Sequence, residues 1–191
     1  MKDYIWLIGC GYMGRAYAEV LKARKFPFKV IGNSEKRAAI FEKEMSLKVI
    51  RGSIANALSY LPAPKIAIIA TNIPTLTNIA IDLIKSGVTR ILIEKPGFVY
   101  FKDFEKLLEY QKKFQVEISI AYNRRFYSST LKLLELIKAE GGIKSLSFEF
   151  TEFSHTIKNL SFPKEIKEKW LIANSSHVID LAFYFPISII N

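Results

Sequence analysis

Cysteine is almost absent from this chain. Cys10 is the only one, so no disulfide can form within the chain, and with two histidines, His155 and His177, no Cys/His cluster for structural zinc can be assembled. A reducing, cytoplasmic setting is expected. Long apolar runs are missing too. Nowhere do about 18 apolar residues follow one another, as a membrane-spanning helix needs, and the most apolar stretch, Val178 to Ile190, is broken by Asp180 and Pro186. The opening MKDYIWLIGCGYMG meets its glycines too soon to hold a signal-peptide core, so a soluble protein that is not exported is expected. Glycine and proline, 9 and 7 residues, are few and scattered, which excludes collagen-like and low-complexity chains. Acidic residues run short as well: 18 Asp and Glu face 28 Lys and Arg, a net charge of +10. The basic residues are spread over helical segments, as at Lys102, Lys106, Lys112, Lys132 and Lys138, rather than gathered in one stripe, which argues against a nucleic-acid reader. Attraction of a phosphorylated small molecule is the better use of the field.

What is present is material for a core. Half of the 191 residues are apolar, with 14 Phe, 9 Tyr and 2 Trp, and a chain this long can bury roughly 70% of its unfolded surface. Strands are expected at Tyr4–Ile8, Phe28–Ile31, Lys48–Ile50, Lys65–Ala70, Arg90–Glu94 and Val116–Ala121. Between them the periodicity predicts helices at Tyr12–Arg24, Glu35–Met45, Ile54–Leu61, Thr75–Ser86 and Asp103–Phe114. Strands alternating with helices at this spacing predict an α/β fold with a doubly wound parallel sheet over residues 1–121. After Ala121 the rhythm changes: a helix at Tyr127–Glu140, a Gly141-Gly142 turn, and alternation from Lys144 to Phe153 that reads as a half-exposed strand. A helical pattern over Trp170–Phe185 and a possible strand at Pro186–Asn191 follow, so residues 122–191 are expected to open a second, mostly antiparallel α+β domain.

Gly9-Cys10-Gly11-Tyr12-Met13-Gly14 has the G-x-G-x-x-G spacing directly after the first strand. Gly9 allows a tight turn, Gly11 lets the backbone approach a pyrophosphate, Gly14 lets helix pack on strand, and the helix N-terminus offers unpaired N–H donors. A dinucleotide site is expected, with Cys10 a small filler rather than a nucleophile. An NAD-preferring site carries Asp or Glu at the end of the second strand. Here Asn33 stands there, followed by Ser34, Lys36 and Arg37, which lack the repelling carboxylate and supply one hydroxyl and two cations, although Glu35 sits among them. NADP is favoured over NAD.

Glu94-Lys95-Pro96 closes the fifth strand, and Pro96 disfavours a helical Lys95. Lys95 therefore stands at the carboxyl end of a parallel strand, where open α/β sheets bind ligands, and can donate to a substrate hydroxyl. A solvated strand-end lysine is an equal reading of these residues alone. Through Gly9–Gly14, Thr71-Asn72-Ile73-Pro74, Glu94-Lys95-Pro96, Tyr122-Asn123-Arg124-Arg125-Phe126 and His177-Val178-Ile179-Asp180, nearly the whole chain resembles the glucose-fructose oxidoreductase, inositol dehydrogenase and MocA (Gfo/Idh/MocA) family. The resemblance implies an NAD(P)-dependent oxidoreductase of sugars, cyclitols or nucleotide-linked sugars, with a Rossmann domain at 1–121 and a substrate-binding and dimerisation α+β domain built on an open sheet at 122–191. Cofactor contacts are then expected at Gly9, Gly11, Tyr12, Met13, Gly14, Asn33, Ser34, Arg37, Thr71, Asn72, Pro74, Glu94 and Lys95. Substrate contacts are expected at Lys95, Tyr122, Asn123, Arg124, Arg125, Asn174 and His177, with Lys95 and His177 catalytic and no metal.

An imidazole titrates near neutrality and suits a general base, and on a helix Asp180 at i+3 from His177 is placed to orient it. His155 reads as a strand-surface residue. Two departures from the family pattern stand out. Many members carry an aspartate four residues before the histidine, where this chain has Ala173 with Asn174 beside it. The segment Trp170–His177 is more similar to members associated with surface-polysaccharide sugars, which implies a nucleotide-linked or acidic sugar. Members also continue beyond the histidine helix, so a chain ending at Asn191 reads as a short or C-terminally truncated form whose incomplete sheet is expected to find a partner in a homodimer or higher homo-oligomer. The alternative to an enzyme is a nucleotide-binding protein without turnover, a sensor or the remnant of a longer enzyme.

Overall fold

Six short strands, β1 (Ile5–Ile8), β2 (Phe28–Gly32), β3 (Val49–Arg51), β4 (Ile66–Ile69), β5 (Arg90–Ile93) and β6 (Glu117–Ile120), pair in parallel in the order β3-β2-β1-β4-β5-β6. A computed structural model describes residues 4–190, with side chains through residue 185. It divides into two compact units, Met1–Ala121 and Tyr122–Asn191.

In the first unit every strand but the last is joined to the next by a helix: α1 (Tyr12–Ala23), α2 (Glu35–Met45), α3 (Ile54–Tyr60), α4 (Leu76–Lys85) and α5 (Phe101–Phe114). The period-two alternation of the apolar strands sends side chains to both faces of the sheet. Trp6, Ile8, Ala67, Ile69, Ile91 and Ile93 face one way and meet Ile54, Leu76, Leu83, Ile84 and Leu107 of α3, α4 and α5. Leu7, Val30 and Ile68 face the other way and meet Ala18, Leu21, Ala38 and Phe41 of α1 and α2. Each large aliphatic side chain fully buried in these layers contributes about 1.5–3 kcal/mol. Such runs are buried on both faces because helices cover both, which is why they read as unbroken apolar stretches. The helix starts are capped where the sequence allows: Ser34 Oγ accepts from the Arg37 amide and Ser53 Oγ from the Asn56 amide. The strand order is that of a Rossmann sheet, with its reversal between β1 and β4.

The second unit is helical among the described residues. A 3-10 turn at Asn123–Phe126 leads into α6 (Ser128–Ala139), followed by α7 (Ser154–Lys158), α8 (Lys164–Glu168), α9 (Trp170–Ala173) and α10 (Ser176–Ile190). The strand expected from Lys144 to Phe153 is not formed. Its alternation is present, and Phe148 and Phe150 stack with ring centres 6.4 Å apart. A strand exists only by pairing, however, and no second strand of this unit is found among the described residues to pair with it. The expected antiparallel sheet is therefore corrected to irregular chain. His155 lies exposed on α7, not on a strand. The single helix expected over Trp170–Phe185 is two, because Asn174 and Ser175 interrupt it and the Ser175 carbonyl accepts the first bonds of α10 from Val178 and Ile179. The strand expected from Pro186 is not formed, because α10 continues to Ile190; Asn191 lies outside the described residues.

Candidate functional site

The turn from β1 into α1 lies at the reversal of strand order. Gly9 adopts φ +112°, and a Cβ there would stand 2.2 Å from the Ala70 carbonyl oxygen on β4's end. A Cβ on Gly14 would come within 2.0 Å of the Gly9 carbonyl oxygen, so helix and turn touch backbone to backbone. Gly11, the N-cap of α1, is different: nothing lies within 4 Å of where its Cβ would be, and no side chain caps the helix. The result is an open surface over unpaired amides, flanked by the exposed Tyr12 and half-buried Met13. This is the space a pyrophosphate needs, so the residues present fit a dinucleotide. Cys10 is buried, and a Cβ on Gly32 of β2 would lie 2.7 Å from its Sγ. It fills the gap that Gly32 leaves, and burial pushes its thiol up, away from nucleophilic use.

At the end of β2, Asn33, Ser34, Lys36 and Arg37 are all exposed. Glu35 is drawn aside: its carboxylate pairs with Arg51 at 2.8 Å, and Arg51 also grips both carboxylate oxygens of Glu42 at 2.7 Å. Arg37 Nη1 reaches Asn72 Oδ1 at 3.3 Å, which brings the β2 end and the segment after β4 together. In that segment Thr71 and Asn72 precede a 3-10 turn containing Pro74, and the Thr75 hydroxyl lies 2.9 Å from that of Thr71.

β5 ends at Ile93, and Glu94, Lys95, Pro96 and Gly97 form the next turn, closed by the Gly97 amide on the Glu94 carbonyl at 3.0 Å, with a cis bond before Pro96. Lys95 is half-buried there, while Glu94 is buried at 9% exposure. The Tyr17 hydroxyl of α1 donates to Glu94 Oε1 at 2.7 Å. Burial pushes the Glu94 carboxyl above its ordinary range, against the Tyr17 hydrogen bond and the Lys95 charge, and burial likewise raises the Tyr17 phenol. Tyr17 was not foreseen from the sequence. Its only signal is its place one helical turn beyond Gly14, on the face of α1 turned to the sheet.

In the second unit the 3-10 turn holds Asn123, Arg124 and Arg125, fastened by Thr130 Oγ1 donating to the Arg124 carbonyl at 2.8 Å. Arg125 donates to both oxygens of Asp180, one bond measuring 2.8 Å from Nε, and its guanidinium lies 4.8 Å from the centre of the Tyr184 ring. Asp180, expected to orient His177, thus has both oxygens engaged by Arg125 and joins the turn to α10. His177 meets the Tyr122 ring edge-on, with centres 5.8 Å apart. Asn174 stands 3.5 Å from a Glu152 oxygen, and Glu152 also accepts from Trp170 Nε1 at 3.0 Å and from Ser175 Oγ. The Ser175 hydroxyl, first among these donors, holds the Glu152 carboxyl below its ordinary range. Tyr122, Arg125, His177, Asp180 and Tyr184 thus form one cluster, while Asn174 belongs to a separate group around Glu152.

The model of the oxidoreductase family with an NAD-binding Rossmann fold, Gfo/Idh/MocA, matches residues 4–122. The chain belongs to this family. A search of curated proteins finds no match. Among solved structures, the WlbA dehydrogenase of Bordetella pertussis in complex with NADH and UDP-GlcNAcA is similar with a TM-score of 0.76 at 14% identity, over 97% of this chain and 59% of that one. A UDP-N-acetylglucosamine 3-dehydrogenase, GnnA of Acidithiobacillus ferrooxidans, gives a TM-score of 0.59 at 21% identity, over 71% of this chain and 43% of that one. A probable dehydrogenase of Thermotoga maritima gives 0.63 at 22%, over 74% and 42%. At such identities the likeness is one of fold, and this Gfo/Idh/MocA chain spans between 42% and 59% of the length of these three structures. No helix among the described residues is long and apolar enough to cross a membrane.

Proposed function

We propose that the chain is an NAD(P)-dependent oxidoreductase that moves a hydride between nicotinamide and a hydroxyl or keto carbon of a sugar, most readily a nucleotide-linked sugar. The observation that carries this reading is the open Gly11 surface at the strand-order reversal, beside a β5 end that bears Lys95. In this reading residues 1–121 bind the dinucleotide and residues 122–191 serve substrate binding and association. The nicotinamide, when bound, accepts or returns the hydride. Lys95 donates to the reacting oxygen and stabilises it as negative charge develops, and His177 takes the hydroxyl proton in the oxidative direction. Tyr122, Asn123, Arg124 and Asn174 are proposed to contact the sugar. The two UDP-sugar dehydrogenase folds among the similar structures, and the +10 charge, support a nucleotide-linked substrate. Nicotinamide fluorescence titration of the purified chain, followed by turnover assays over UDP-sugars, tests the reading. Absence of binding to either reduced dinucleotide ends it, and binding without turnover of any sugar makes the chain a nucleotide-binding protein instead.

NADP is the proposed cofactor. Asn33 offers no carboxylate to repel a 2′-phosphate, Ser34, Lys36 and Arg37 are exposed around it, and Glu35 is paired with Arg51. NADPH is expected to bind more tightly than NADH, and Arg37→Ala to shrink the difference by about threefold to tenfold, the scale of one exposed charge-assisted contact. Equal affinities, or tighter NADH, reverse the assignment.

Cytoplasmic residence and self-association belong to the same proposal. The exposed Leu131, Leu133, Leu136, Leu146 and Phe148 of the second unit provide apolar surface for a homodimer. Light scattering is expected to give a multiple of the 21.9 kDa chain mass, and a monomer at all concentrations ends this part.

A further inference from the structure

A buried carboxylate is costly unless donors surround it, and Glu94 is 9% exposed. It lies in the β4-β5-β6 half of the sheet, beyond the strand-order reversal. A dinucleotide spans the two halves of such a sheet, and the half opposite the glycine turn receives the second nucleotide. The helix that starts at the glycine turn crosses back to this carboxylate through one side chain, Tyr17, whose hydroxyl donates to Glu94 Oε1 at 2.7 Å. The other charge beside it is the Lys95 ammonium, on the adjoining residue.

We propose that Tyr17 is a positioning residue: its hydroxyl holds the Glu94 carboxylate as a fixed negative charge at the carboxyl end of β5, and that charge favours the oxidised, cationic nicotinamide over the reduced, neutral one. This rests on the dinucleotide reading above and adds to it a determinant of redox preference. The physical reason is direct. An anion attracts the ring only in its cationic state, so the charge acts on the difference between the two cofactor forms rather than on their common affinity. Without the phenol, Glu94 loses a donor that favours its ionised form, and the fixed charge weakens.

The test uses the full chain and three variants, Tyr17→Phe, Glu94→Gln and the double substitution. Dissociation constants are measured for NADP+ and NADPH, with NAD+ and NADH in parallel. Tyr17→Phe removes only the hydroxyl, and Glu94→Gln keeps an acceptor while removing the charge. Tyr17→Phe is expected to weaken the oxidised form about threefold to tenfold more than the reduced form, Glu94→Gln to do at least as much, and the double variant to add nothing further. Equal losses for both forms, or an effect of Tyr17→Phe that persists in the Glu94→Gln background, overturn the proposal and leave the dinucleotide reading standing. Failure of the wild-type chain to bind any of the four dinucleotides removes both.

A second readout needs no cofactor. An acid whose folded pKa is raised contributes stability that is complete below the ordinary carboxylate range and is lost as pH rises through the raised value. Loss of the Tyr17 hydroxyl pushes Glu94 further up. The apo Tyr17→Phe protein is therefore expected to lose more melting temperature than wild type on passing from acid to neutral pH, and both Glu94→Gln variants to lose less. Parallel pH profiles for wild type and Tyr17→Phe contradict the proposal, since a hydroxyl that stabilises the ionised carboxylate must change where that carboxyl titrates.

Discussion

Replacing Lys95 or His177 by alanine is expected to lower kcat by about 100-fold or more in whichever sugar reaction the chain supports, the usual scale of a lost acid or base. For His177→Ala dinucleotide affinity is expected to change little. The argument begins with position. Lys95 follows the last pair of β5, whose Glu94 amide is bonded to the Ile69 carbonyl of β4 at 2.9 Å, so its backbone is fixed by the sheet itself. From that place a lysine ammonium stabilises an oxygen that gains negative charge, and such an interaction is strongest in the transition state. His177 stands in the first turn of α10 against the Tyr122 ring and is the proposed base. Asp180, one helical turn on from His177, is engaged by Arg125. Steady-state kinetics with a fixed reduced or oxidised cofactor, beside fluorescence titration of the same variants, decides the matter. A variant with undiminished kcat removes that residue from the mechanism. One that loses cofactor affinity in parallel with kcat was holding the dinucleotide rather than the reacting oxygen.

The first unit was legible because its signals are local. Apolar runs such as Ile66–Ile69 are interpretable without partners, the helices keep their 3.6-residue spacing, and the glycines of the first turn are demanded by backbone geometry. The strand order confirmed the alternating pattern, and element boundaries moved by a residue or two at most of the ends. The second unit was less legible. Lys144–Phe153 alternates as a strand should, but alternation reports only a face, and a strand also requires a neighbour whose presence is not written in the segment itself. Side-chain partners far apart in sequence were the hardest. Asp180 has His177 at i−3, yet Arg125, 55 residues away, places two parallel bonds on the same carboxylate at 10% exposure. Tyr17 and Glu94 lie 77 residues apart, and only the placing of β4 between β1 and β5 shows that the helix after β1 can reach β5's end.

The two outer effects of the glycine turn, on folding and on binding, separate at neighbouring positions. Gly9→Ala is expected to destabilise the protein by about 3–5 kcal/mol, a large share of the 5–15 kcal/mol a domain of ordinary stability has. At Gly9 a methyl group meets two obstacles. The backbone is at φ +112°, which side chains rarely tolerate, and the Cβ would stand 2.2 Å from the Ala70 carbonyl oxygen and 2.6 Å from its carbon. Neither backbone can step aside, because the Gly9 amide is bonded to the Ile31 carbonyl at 2.9 Å and the Ala70 amide to the Ile8 carbonyl at 2.7 Å. Relief would break the sheet where β2, β1 and β4 meet. Gly11→Ala has neither obstacle: its φ is −84°, and nothing lies within 4 Å of the new methyl. That variant is expected to melt within a few degrees of wild type, yet to lose about tenfold or more in dinucleotide affinity, because the methyl occupies the space where the pyrophosphate approaches the backbone. Denaturant melts and nicotinamide fluorescence titrations on the pair measure both. If Gly11→Ala binds as tightly as wild type, the open surface at the start of α1 is not where the phosphates lie; if Gly9→Ala melts as wild type does, the β1–β4 junction yields more than its hydrogen bonds imply.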